Sequence, residues 1–141
     1  MPNMVNAELY VYTAADNILG DASLMPFLPV TLASEGHTLD TSGLLDTGSS
    51  VNVLPYSMGI RLGAIWESQP ILTELGGNLA RFEARGLITQ MQVGRFDPVR
   101  MVFAWTKADD IPLILGQVNF FIEFDICFRR SRLEFEIKSK S

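Results

Sequence analysis

Four residues whose types and order could do chemistry stand together in the run GLLDTGSSVNVLP, residues 43–55: Asp46, Thr47, Gly48 and Ser49. A carboxylate at the end of an apolar run costs free energy unless donors pair with it or it takes part in a reaction. Gly48 lets the backbone turn tightly, so that the following N–H groups can point back at the carboxylate. The Thr47 and Ser49 hydroxyls can donate further hydrogen bonds. A carboxylate held in this way can act as a general base, or as an acid when protonated. Asp46-Thr47-Gly48 alone usually marks a turn, and its context is what sharpens it. Leu44 and Leu45 precede it, while Val51 to Leu54 resume an apolar run that ends at Pro55.

The elements that would position this loop are mostly strands. Turn residues recur at short intervals, at Gly20-Asp21, Ser34-Glu35-Gly36, Gly76-Gly77-Asn78, Gly94, Asp97-Pro98 and Asp109-Asp110. Between them lie short runs rich in Val, Ile, Leu, Phe and Thr, the pattern of an all-β chain. Strands are expected at 9–13, 27–33, 37–45, 71–75, 82–93, 99–105, 113–115, 124–128 and 133–137. Helix has little room: one short helix is expected at 55–62, with Pro55 at its start and Gly63 closing it, and another at 117–122. The run FDICFRRSRLEFEI reads as a hairpin turning at Arg129-Arg130-Ser131. Leu133, Phe135 and Ile137 share one face of its second strand, and Glu134, Glu136 and Lys138 share the other. That half-polar strand is expected to be an open edge in want of a partner.

Composition bounds the partners. The 141 residues suffice for one domain, not two full lobes. They are 48% hydrophobic and 19% charged, an apolar excess that a subunit interface would absorb. A net charge of -5 argues against nucleic acid or an anionic membrane surface as the main partner. One cysteine, Cys127, and one histidine, His37, provide neither a disulfide nor a zinc site, so no metal and no cofactor are expected. The sequence shows no basic-then-apolar leader and no membrane-spanning apolar run, which suggests an intracellular, cytoplasmic protein.

The ordered features resemble the retropepsin-like family of single-domain aspartic peptidases. Asp46, Thr47, Gly48 and Ser49 match its active-site loop. Leu113-Ile114-Leu115-Gly116 looks like the segment that packs behind that loop, with a short helix following. Two β runs around Leu75, Gly76, Gly77 and Asn78 are similar to its flap hairpin. The resemblance spans roughly residues 27–137. It implies a closed β-barrel of the acid-protease fold, with one or two short helices and a β-hairpin flap. Residues 25–141 would form the peptidase domain, and residues 1–24 an N-terminal segment offering a candidate dimer-interface strand. Asp40-Thr41-Ser42 lacks the glycine of the motif and cannot stand for a second lobe. The resemblance therefore implies a homodimer, with Asp46 from each copy hydrolysing a peptide or protein substrate in extended, apolar-flanked segments. Thr47 would cross-link the two loops. Ser49, where many viral relatives carry alanine, would donate to the carboxylate and move the working range toward acid.

Two other functions compete. An Asp-x-Gly-Ser turn also resembles the phosphate loop of sugar kinases and actin-like ATPases, but those folds alternate strands with long helices and need far longer chains. A catalytically silent dimer that binds peptides or supports assembly would have the same cleft and flap. His37 reads as a solvated loop residue, Cys127 as a small apolar strand residue, and Trp66 and Trp105 as packing or interface residues. Arg129, Arg130 and Arg132 read as a solvated basic tip.

Overall fold

Glu35 and Gly36 both have positive φ, at 46° and 85°. Two such residues in succession form the tight turn whose twist matches that of the strands it joins. They connect β4 (Phe27–Ser34) to β5 (His37–Leu45), paired antiparallel from Phe27↔Leu44 to Ser34↔His37. The computed structural model describes residues 7–14, 24–72 and 83–140.

The chain continues through β6 (Val53–Leu54), α1 (Tyr56–Arg61), a 3-10 turn at Trp66–Ser68 and β7 (Ile71–Leu72). It then forms β8 (Ala84–Gln92), β9 (Val99–Thr106), β10 (Leu113–Leu115) and α2 (Phe120–Glu123), and ends in β11 (Phe124–Arg129) and β12 (Glu134–Ser139). In the main sheet the order is β4, β5, β10, β6, β9, β8, and β4 pairs again with β8 to close a six-stranded barrel. Strand β7 hangs from β8 outside that circuit. The parallel strand β10 is the short apolar run Leu113-Ile114-Leu115, as expected for a strand covered on both faces. The expectation of an all-β chain with two short helices holds. Among the described residues no helix is long and apolar enough to cross a membrane.

The barrel core combines aliphatic side chains such as Leu28, Leu32, Leu39 and Met91 with a cluster of aromatic ones. Trp105 is fully buried, stacks on Tyr56 at 5.6 Å and meets Trp66 edge-on at 5.0 Å. Both tryptophans are therefore packing residues. Helix α1 can lie on this cluster because Gly59 has no side chain: a β-carbon there would fall 2.1 Å from the Trp105 ring. Its start is held from a distance, since Asp109 accepts the Ser57 N–H at 2.9 Å.

The terminal hairpin requires a correction. Strand β12 is not an open edge. It is the middle strand of a separate sheet ordered β1 (Ala7–Val11), β12, β11. Tyr10 stacks on Phe135 beneath it, and Leu9 and Val11 face outward, 61% and 64% exposed. Beyond β1 the chain forms β2 (Thr13–Ala14), paired with β3 (Leu24–Met25). A clasp fixes β1 to the barrel: the Glu8 carboxylate accepts Tyr10 O–H at 2.6 Å and the Arg95 backbone N–H at 2.9 Å. Cys127 also departs from expectation. It lies on the exposed face of β11, because the inward positions there are taken by Phe124 and Ile126. Arg129 is not simply solvated, since it pairs with Glu136 at 2.9 Å and Glu134 at 3.5 Å.

Candidate active site

Strand β5 delivers Asp46 to the mouth of the barrel. Close approach of β10 to β5 requires a glycine at position 43, where a β-carbon would sit 2.8 Å from Leu115 Cδ1. The Asp46 N–H then donates to the Leu115 carbonyl at 3.1 Å, adding one bond to the β5–β10 ladder before the chain turns away. The turn is closed by the Ser49 N–H on the Asp46 carbonyl at 3.1 Å. Within it the Gly48 N–H donates to Asp46 Oδ1 at 2.9 Å. The carboxylate is half-buried, flanked by exposed Thr47 and Gly48. This is a fixed acceptor with a face toward solvent, able to receive a proton from a bound water or to donate one when protonated.

Ser49 does not contribute as the sequence suggested. Its hydroxyl donates to the Val51 carbonyl at 2.7 Å, within its own turn, and so serves the backbone, not the carboxylate.

Behind the loop lies the segment ending in Gly116. The Gln117 and Val118 N–H groups donate to the carbonyls of Ser49 and Ser50 at 2.9 and 2.8 Å. Gln117 Nε2 reaches the Thr47 carbonyl at 2.9 Å. Helix α2 begins at Phe120, later than the 117 expected, and residues 117 and 118 bond the loop instead. Ile114, Leu115 and Gly116 are thus brought together with Asp46, Thr47, Gly48 and Ser49. The expected flap residues Leu75, Gly76, Gly77 and Asn78 lie outside the described residues. On the described residues that flank them in sequence, β7 pairs with β8 and the Arg85 guanidinium donates to the Trp66 and Gln69 carbonyls, both at 3.1 Å.

Sequence reasoning missed Asn52, which is fully buried. Its Oδ1 accepts the Gly116 N–H at 2.9 Å, and its own N–H donates to Asn119 Oδ1 at 3.0 Å. The available signal was a lone amide inside the apolar run VNVLP, since a buried polar side chain needs partners.

With the barrel and loop defined, comparison with solved structures is informative. A retropepsin-like aspartic protease from Rickettsia conorii superposes with a TM-score of 0.62 at 11% identity, covering 99% of this chain and 97% of that one. The EIAV protease, solved with an inhibitor, gives a TM-score of 0.51 at 21% identity, covering 73% of this chain and 88% of that one. The chain has the retropepsin-like fold. No protein-family model matches the sequence, and no curated protein matches it significantly. The retropepsin-like fold here is accordingly a likeness of architecture carried at low sequence identity.

Proposed function

We propose that the chain is an aspartic endopeptidase that works as a homodimer, with Asp46 of each copy forming the catalytic pair. The observation that carries this reading is a single half-buried aspartate, fixed by the Gly48 amide at the mouth of a barrel shared with aspartic proteases. One motif per chain leaves half a site, so a second copy related by a two-fold axis completes it. Residues 25–141 are the peptidase domain and residues 1–24 an N-terminal segment.

Two carboxylates a few ångströms apart cannot both ionise easily, and they share one proton; the aspartic-protease dyad is itself the standard case of this effect. The ionised member takes a proton from a water held between them, and the oxygen attacks the peptide carbonyl carbon. The protonated member gives its proton to the carbonyl oxygen, forming a gem-diol. Proton transfer to the amide nitrogen then breaks the C–N bond. Substrate lies extended, bound mainly by main-chain pairing with apolar residues flanking the cut. Thr47 cross-links the two loops, and a flap around Leu75 to Asn78 excludes water.

The test is cleavage of a mixed peptide library by the wild type and by Asp46→Asn. The variant removes both carboxylates of the dimer, so products should vanish while circular dichroism stays unchanged. Equal cleavage by both proteins would overturn the assignment.

A further inference from the structure

We infer that Asn52 is a positioning residue for Asp46: a buried clamp that holds the catalytic loop against Gly116 and ties both to the α2 end of the chain through Asn119. The inference rests on the peptidase reading for its catalytic consequence, but its geometry stands apart from it. Asn52 uses nearly every polar group it has. Its Oδ1 takes the Gly116 N–H at 2.9 Å, and Nδ2 donates to the Val102 carbonyl at 3.3 Å, with Met101 Sδ at 3.5 Å. Its backbone N–H goes to Asn119 Oδ1 at 3.0 Å, and its carbonyl accepts the Ala104 N–H at 2.9 Å.

Strand β6 alone could not do this. Its ladder to β10 is the single pairing Ile114↔Val53, and its ladder to β9 has two, Val53↔Ala104 and Leu54↔Trp105. The amide of Asn52 supplies the missing cross-links, and it does so one residue before that short strand. Gly116 in turn precedes Gln117 and Val118, whose N–H groups hold the Ser49 and Ser50 carbonyls. Asn52 therefore holds, through Gly116, the segment that fixes the loop. Because an unpaired buried acceptor or donor is costly, this connection has one stable arrangement.

Asn52→Leu keeps the approximate shape and deletes every side-chain bond. Hydrogen exchange should quicken at the Gly116, Gln117 and Val118 amides beyond any change at Leu32 or Leu39. The carbon-13 titration of the Asp46 carboxyl should move. With peptide substrate, kcat should fall about tenfold to a hundredfold while KM changes less than about threefold, the signature of a misplaced reacting group. Leu39→Ala serves as a destabilised control, since Leu39 lies in the core near the other end of β5, about 23 Å from Asp46 along the strand. It should leave both the Asp46 titration and kcat of the folded enzyme unchanged. If Asn52→Leu fails to fold, Asn119→Ala probes the same clamp from a partly exposed position and should shift the same readouts less, in the same direction. Exchange accelerated uniformly along the chain, or an Asp46 titration that stays in place, would overturn the inference. Exchange and titration need no turnover, so a wild type that cleaves nothing would remove the peptidase reading and leave the clamp to be decided by those two measurements.

Discussion

Gly116 lies so close to Val51 that a β-carbon built on it would fall 2.3 Å from the Val51 carbonyl oxygen and 2.9 Å from that of Ser49. Both neighbours are backbone, so no side-chain rotation relieves the overlap. Gly48 is different: a β-carbon there would lie 3.3 Å from Asp46 Oδ1, a contact that a slight shift of one side chain accommodates. Gly116→Ala should therefore lower stability by about 2–3 kcal/mol in denaturant titrations, and Gly48→Ala by about 1 kcal/mol or less. Comparable losses for the two variants would refute the packing argument.

Ser49→Ala removes a hydroxyl that bonds the Val51 carbonyl, not the Asp46 carboxylate. It should cost about 1 kcal/mol of stability and leave both limbs of the pH profile of kcat/KM where they are. An acid limb that moves upward would show that the hydroxyl reaches the carboxylate during turnover.

Glu8 gives the fold a pH dependence of its own. Burial pushes its carboxyl up, but the hydrogen bonds from Tyr10 and from the Arg95 backbone and side chain, with the Arg95 charge, together hold it below its ordinary value. A depressed folded-state value means that the stabilisation is present above the unfolded value and is lost as pH falls through the folded one. Glu8→Gln should thus be less stable than the wild type by about 1–2 kcal/mol above about pH 5, and the gap should narrow as pH falls below about 4. Thermal melts of both proteins across that range measure it. A gap that widens toward acid would contradict the clasp.

Mixing wild-type chains with Asp46→Asn chains tests whether two copies share one site. Random dimers from equal parts should retain roughly one quarter of the wild-type activity, because the active species scales as the square of the wild-type fraction. A residual of one half, with a monomeric mass at active concentrations, would mean that each chain acts alone.

Much of the barrel is legible in the sequence because its signals are local. Glu35-Gly36 announces a turn, alternation marks β8 and β9, and Leu113 to Gly116 is too short and apolar for anything but a covered strand. The loop at Asp46 is legible for the same reason. What escapes is set by contacts distant along the chain. Alternation in Leu133, Phe135 and Ile137 shows which face is buried, but not that β1 would occupy the neighbouring position. Asn52 stands alone among apolar residues, and its five partners lie 49 or more positions away. The exposure of Cys127 is not legible because its alternating neighbours do not reveal which of the two faces meets the core.

The position of β12 between β1 and β11 bears on how the protein is made. Its first described strand pairs with its last, residue for residue from Ala7↔Lys138 to Val11↔Glu134. A ribosome releases β1 long before β12, so during synthesis the barrel can form while β1 waits without its neighbour. Pairing the two closes a loop of nearly the whole chain, which makes it a late and slow event in folding. Leu9, Val11 and Tyr10 then spend the interval exposed on a nascent chain, where they are natural targets for chaperones that hold extended apolar segments.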